Sequence, residues 1–201
     1  MADPATVTTH ELDAPMSRDE LIFLMELRLS WLTYLALSIC IQRLLSELGF
    51  EDVRLLGRRF LRGRTDHGGI DMSAKAMTPL GPSPTLIQVK RYHRTVSRRF
   101  VDELRGSMLR YNASNGILIT TSTFSRRAQD AANAFKGRPI RLIDGRELAT
   151  LMVDTGIGIE AQVDLPTGTK LHKLNAYMFE HLERECERRR TQKATDEGRV
   201  Q

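Results

Sequence analysis

Apolar positions along this chain change their period several times, and each change marks an element. Leucine, isoleucine, phenylalanine and tryptophan dominate from Leu21 to Cys40, and helix-compatible spacing continues to Leu48, with Gly49 as the stop. Ser17 followed by Glu20 has the spacing of a capping box and predicts the start. In the second half of this stretch Ile39, Leu44, Leu45 and Leu48 can share one buried side. The next piece, EDVRLLGRRF, predicts a strand with Gly57 at a bulge or turn. The loop RGRTDHGG leads to a strand around Asp71, and the Pro/Gly-rich connection SAKAMTPLGPSP joins that to TLIQVKRY, the pattern of a hairpin.

Helical spacing then returns. VSRRFVDELRGSMLRY predicts an amphipathic helix with Val96, Phe100, Val101, Leu104 and Met108 inward and Ser97 or Thr95 as its cap. NGILITTS is a short, nearly continuous apolar run of the kind found in the middle of a covered sheet. TFSRRAQDAANAF predicts a helix capped by Ser125 or Thr123, PIRLIDG a strand, and RELATLMVDTG a helix with a glycine stop. Beyond Ile159 the pattern loosens, and Leu171, Leu174, Met178 and Leu182 predict one more helix over 170–190 whose charged end frays into solvent. No internal repeat is visible.

The order helix, three-strand meander, helix, strand, helix, strand, helix predicts an α/β fold: a three-layer sandwich with a central mixed β-sheet and helices on both faces. At 201 residues the chain suits one medium domain with extensions. The expected divisions are a polar, proline-containing disordered arm over 1–16, a helical extension over 17–34, the main domain over 35–159, and a C-terminal helical extension with a charged tail over 160–201.

Composition adds modest constraints. The apolar share of 41% and charged share of 27% are those of a soluble globular protein, and a net charge of +5 mildly favours a polyanionic partner. Cys40 and Cys186 lie far apart, which excludes a cysteine-rich zinc site and points to a reducing compartment, the cytoplasm. The first twenty residues are polar and acidic, unlike a secretory signal. Glu26 and Arg28 interrupt the Leu21–Cys40 run, and such charges are costly in a bilayer. A buried or dimer-packing helix is therefore expected, with a membrane-associated helix as the alternative.

The candidate chemistry lies in the predicted hairpin. Asp71 stands on one strand, and Gln88 and Lys90, two apart on its neighbour, leave the same face. An acid beside a polar-x-Lys can hold a divalent cation and an ammonium group near one phosphate. Taken alone, these residues are equally an aspartate at a strand end and a solvated lysine.

The pieces HGGIDM, LIQVKRY, VDELRGSM, GILITTSTFSRRAQDAA and IRLIDGRELATLM follow one another in order. This succession resembles the catalytic domain of Mrr-type restriction endonucleases, a branch of the PD-(D/E)XK nuclease superfamily, over roughly Leu35 to Ile159. Gln88-Val89-Lys90 is similar to the Gln-x-Lys variant of that branch. The resemblance implies a restriction-endonuclease-like fold and a Mg²⁺-dependent DNA endonuclease, with Mn²⁺ able to substitute, acting in restriction or mobile-element DNA processing. It implies Asp71 as the principal metal ligand, helped by the Val89 backbone carbonyl. It also implies Gln88 as an amide ligand or a holder of water on the metal, and Lys90 as the group that orients the attacking water and offsets phosphate charge. A catalytically weak DNA-binding or partner-binding protein is the alternative.

Two positions depart from the family. His67 stands where relatives usually have an acid, and reads as a polar loop residue, with a catalytic base or a phosphate contact to DNA as the alternatives. Relatives often carry a glutamate on the first core helix, and that position falls near Ser38, with Glu26 and Glu47 the nearest acids. The DNA surface has a clear source: twelve Lys/Arg against three acids between Gln88 and Arg141, a local excess of nine. Arg91, Arg94, Arg98 and Arg99 directly after the proposed site strand, and Thr121 and Ser122 at the end of the central strand, are the candidate backbone contacts. A duplex cut needs two sites, so a homodimer is expected.

Overall fold

The computed structural model describes residues 16–56, 69–134, 137–163 and 170–198. The predicted arm up to residue 15, Gly57 and His67 lie outside these described residues. Helix α1 (Arg18–Trp31) opens with the predicted capping box: Ser17 N donates to Glu20 Oε2 (2.7 Å) and Glu20 N to Ser17 Oγ (3.3 Å). The long helix expected to run on to Leu48 is in fact two. The backbone is extended at Leu32 and Thr33, and Thr33 caps a second helix, α2 (Tyr34–Glu47), by accepting from Ala36 N. A carboxylate from far along the chain stabilises this break. Glu183 accepts from Thr33 N (2.7 Å) and from Thr33 Oγ1 (2.8 Å). Among the described residues no helix is long and apolar enough to cross a membrane.

Leu44 and Leu45 of α2 are buried as expected, whereas Leu48 is 41% exposed because it lies just past the helix end, where Gly49 (φ +84°) turns the chain. Strands β1 (Phe50–Leu55), β2 (Met72–Thr78) and β3 (Gly81–Lys90) pair antiparallel in that order. Residues expected to form a loose connection are therefore strand, and the turn is only Pro79-Leu80. Pro82 and Pro84 are tolerated because β4 (Asn115–Thr120) pairs with β3 only from Thr85 onward. At its start β3 is an edge on that side, where a missing N–H breaks no ladder.

Strands β3, β4 and β5 (Ile140–Ile143) run parallel, giving a mixed sheet in the order β1-β2-β3-β4-β5. Residues Thr85–Val89 are buried on both faces, and that explains the apolar run. One face packs Met72, Ile87, Val89, Ile117 and Ile119 against α1, α2 and α5 (Gly145–Asp154). The other packs Leu86 and Leu118 against α3 (Arg98–Arg110) and α4 (Arg126–Asn133). This is the expected sandwich. Ser125 caps α4 by accepting from Ala128 N, and Ser97 stands at the α3 start without a side-chain cap bond.

The C-terminal region departs further from its pattern. Leu171 and Leu174 lie on a strand, β7 (Lys170–Leu174), paired antiparallel with β6 (Ile159–Val163). The helix begins only after Asn175, whose Oδ1 accepts from Met178 N (2.8 Å). This helix, α6 (Ala176–Gly198), buries Phe179, Leu182 and Cys186 in the α1/α2 core and continues to Gly198 rather than fraying near 190.

Candidate active site

Asp71 stands just ahead of β2 with its backbone fastened on both sides. Its N–H donates to Ile87 O (3.0 Å) and its carbonyl accepts from Leu56 N (2.8 Å). Its Oδ2 accepts from Val89 N (2.7 Å), and the Tyr34 hydroxyl also donates to the carboxylate. Burial pushes the Asp71 carboxyl above the ordinary aspartate value, against the pull of Tyr34, the Val89 N–H and the Lys90 charge. Burial likewise pushes the Lys90 ammonium down, opposed by the charges of Asp71 and Glu103 and helped by Arg99. Lys90 Nζ lies 4.8 Å from the Phe100 ring centroid, so the lysine points to the α3 side of the sheet. Two opposite charges thus sit partly desolvated at one end of neighbouring strands.

Gln88 is fully buried and shares the face of Lys90. Gly69, at φ +71°, covers both. A Cβ there would fall on the Gln88 amide nitrogen and stand 3.4 Å from Lys90 Nζ. Only glycine allows this close approach. The predicted trio Asp71, Gln88 and Lys90 is therefore brought together.

Ser38 is buried, and its hydroxyl donates to the Tyr34 carbonyl (2.7 Å). It also stands in hydrogen-bonding contact with the Tyr34 side chain. Glu47 is thirteen residues along α2 from Tyr34, about 20 Å of helix rise away. Glu26, on α1, faces Gly145 at the start of α5, its Oε1 3.5 Å from where a Cβ would sit.

Among the described residues no three His, Cys, Asp or Glu side chains cluster to hold a metal. Oxygen donors at this end of the two strands include the Asp71 carboxylate, the Gln88 amide and the Val89 carbonyl. A strand directs the N–H and C=O of one residue to the same side, so the Val89 carbonyl faces the Asp71 side with its N–H. Hard oxygen donors with a single charge fit a small divalent cation that keeps several waters. Burial of an anionic carboxylate beside them is the cost such a cation would offset.

The candidate DNA contacts separate into two kinds. Arg91 Nη1 donates to Leu32 O (3.2 Å), and Arg94 stacks 5.7 Å from the Tyr92 centroid. Arg98 and Arg99 form exposed pairs with Asp102 (3.1 Å) and Glu103 (2.9 Å) along α3. Thr121 is buried, with its hydroxyl donating to Tyr92 O (3.2 Å), so it fastens the strand ends together. Ser122 is half-buried, and its carbonyl accepts from Gly145 N (2.8 Å).

Sequence reasoning missed two features. The first is Tyr34, whose contact with Asp71 depends on the α1/α2 break. The second is a short echo: Thr95-Val96-Ser97-Arg98-Arg99 is matched by Thr123-Phe124-Ser125-Arg126-Arg127. The two copies lie side by side. Val96 bridges Phe124 in parallel, Val96 N donates to Thr123 O (2.8 Å), and the two threonine hydroxyls are 3.2 Å apart. Helices α3 and α4 therefore start as neighbours, each with two arginines and no acid in its first turn. Arginines at the positive end of a helix are unfavourable unless an anion faces them.

The Mrr catalytic-domain model, described as a restriction endonuclease, matches residues 30–152. The Type IV methyl-directed restriction enzyme EcoKMrr of Escherichia coli (strain K12) is 32% identical over 118 residues, which are 59% of this chain and 36% of that protein. Among solved structures, the DNA modification-dependent restriction endonuclease AspBHI superposes with a TM-score of 0.52 at 18% identity, covering 78% of this chain and 41% of that one. The MspJI restriction endonuclease in complex with a 27-mer oligonucleotide gives 0.47 at 21% identity, covering 76% and 35%. The AspBHI likeness shows a shared restriction-endonuclease-like α/β fold. The chain spans about two fifths or less of the length of these proteins.

Proposed function

Because the chain belongs to the Mrr-type restriction endonuclease family, we propose that it is a metal-dependent DNA endonuclease acting in restriction or mobile-element DNA processing. Mg²⁺ is the working cation and Mn²⁺ a substitute. The observation that carries this reading is the pair Asp71 and Lys90, held partly desolvated at the same end of neighbouring strands. Burial opposes both charges, and a phosphate with a cation would satisfy both.

Asp71, the Val89 carbonyl and the Gln88 amide oxygen hold the cation, which supplies charge neutralisation at the phosphate and a more acidic water. Lys90 directs its ammonium at the attacking water and at the phosphate oxygen where charge builds. Phe100 beneath it keeps bulk water away and leaves the cation able to respond to that charge. The paired starts of α3 and α4 receive the neighbouring backbone phosphates through Arg98, Arg99, Arg126 and Arg127, with Arg91 and Arg94 nearer the cut. Their exposed ion pairs are weak enough to exchange for phosphate. Cleavage of both strands requires two copies, so the active species on duplex DNA is a homodimer. The protein works in the cytoplasm, where the buried Cys40 and Cys186 stay reduced.

One observation favours a second reading. Among the described residues no three metal-ligating side chains cluster at Asp71, and a site with a single carboxylate binds Mg²⁺ weakly. A protein that binds DNA and cuts poorly would have such a site. Methylated and unmethylated plasmid incubated with Mg²⁺ or Mn²⁺ separates the two. A nuclease nicks or linearises plasmid in a metal-dependent way that Asp71→Ala and Lys90→Ala abolish. Salt-sensitive retardation of DNA with no cutting under any condition assigns the protein to the binding class.

A further inference from the structure

We infer that Tyr34 is a positioning residue of the metal site, and that Glu183 of the C-terminal helix holds it there through the start of α2. The inference rests on the reading of Asp71 as the metal ligand. A carboxylate on a short side chain rotates freely unless both oxygens are tied, and a ligand that must stop rotating on binding loses affinity. Asp71 is tied twice, by Val89 N at 2.7 Å and by the Tyr34 hydroxyl. A carboxylate offers about four lone-pair positions, so these two donors leave room for a cation without either having to leave.

Tyr34 is itself held from two directions. Ser38, one turn along α2, is buried against it and bonds its carbonyl at 2.7 Å. On the other side stands Thr33, whose N–H and hydroxyl both bind Glu183, at 2.7 and 2.8 Å. Tyr34 is the first residue of α2, so the angle at which its side chain leaves the helix is set by where the helix begins. Glu183 binds both donors of Thr33 at the break, adding to the Thr33 cap on Ala36 N and the Arg91 bond to Leu32 O, and a helix continuing from α1 would carry Tyr34 to another azimuth. The relay runs Glu183, Thr33, Tyr34, Asp71. It joins a residue beyond the family-matched segment to the centre of the site. Partners that orient a ligand typically change metal affinity by about 10- to 100-fold.

The test uses the full chain and Mn²⁺ as the probe, with free ion measured by electron paramagnetic resonance in the absence of DNA. Tyr34→Phe, which removes one oxygen and keeps the ring, is expected to weaken Mn²⁺ binding about tenfold. Glu183→Ala is expected to weaken it about threefold or more, and the double variant no further than Tyr34→Phe alone, because the two act through one contact. Metal-free DNA binding should stay within about twofold of the parent, since none of the arginines is altered. Wild-type Mn²⁺ affinity in Tyr34→Phe overturns the positioning role, and additive losses in the double variant overturn the relay from Glu183. Asp71→Ala distinguishes this from failure of the underlying reading. If Asp71→Ala binds Mn²⁺ as the parent does, the site is not a metal site at all. If it loses binding while Tyr34→Phe does not, only the inference about Tyr34 fails.

Discussion

The hairpin of β2 and β3 has two ends made from the same pair of strands, and they live under opposite rules. At the tip, Leu80 is completely exposed and Met77 half so, with the turn closed by Thr78 Oγ1 donating to Gly81 O (2.7 Å). At the base, Gln88 is fully buried, and Asp71 and Lys90 are held where burial opposes both of their charges. The backbone pairing is continuous between them. What differs is water. The tip is solvated and asks only for a residue that can turn, whereas the base must keep every polar atom in one place.

The comparison breaks most visibly in activity. Lys90→Ala is expected to lower plasmid cleavage by about 10³-fold, while Leu80→Ala at the tip leaves the rate of the parent. Comparable losses from both would mean that the hairpin acts as a scaffold rather than as a site with an inert handle.

Next in size is Gly69→Val. Positive φ and a Cβ aimed at the Gln88 amide should together cost about 2 kcal/mol in urea unfolding. A parent-like midpoint would show that the base is looser than its geometry.

Asp71→Asn tests the price of the buried charge. Without added metal it should raise Tm by about 2–4 °C, the shift that goes with roughly 1 kcal/mol in a chain of this size. The sign of its pH dependence follows from the carboxyl being raised above its ordinary value of 3.8. The folded chain then holds the proton more tightly than the unfolded one. Protonation stabilises fully below the unfolded value, and that contribution is lost as pH rises through the folded one. The advantage of asparagine is therefore largest at neutral pH and shrinks as pH falls into that window. A gap that widens on acidification would mean that Asp71 is stabilised as an anion.

The smallest effect belongs to the tip. Leu80→Ser should change unfolding free energy by less than about 0.5 kcal/mol, and a larger loss would reveal an unsuspected contact.

Much of this was legible in the chain. The element order from α2 to α5 follows from period changes, and the spacing of Gln88 and Lys90 places both on one face. Asp71 beside them was readable because hairpin partners are close in sequence. Tyr34 was not readable, since its contact depends on a helix break held by a carboxylate 150 residues away. Strands β6 and β7 were hidden for a related reason. Leu171 and Leu174, three apart, fit helical spacing and face opposite sides of a strand, and only pairing with Ile159–Val163 reveals the strand. Prolines disguised the first half of β3, because sequence rules treat proline as a break and cannot see which side of a strand lacks a neighbour. The threonine-to-arginine echo at the starts of α3 and α4 was plainly written, but five residues gain meaning only when the two copies are adjacent.

Those same prolines protect the molecule in solution. A ten-residue strand that outruns its neighbour exposes backbone donors to which another molecule's strand can attach, the usual beginning of aggregation. Pro82 and Pro84 present no N–H along that overhang, and β4 begins at the next residue, Thr85. That overhang is thereby closed to strangers, and copies of the chain that meet in solution are kept from joining through it.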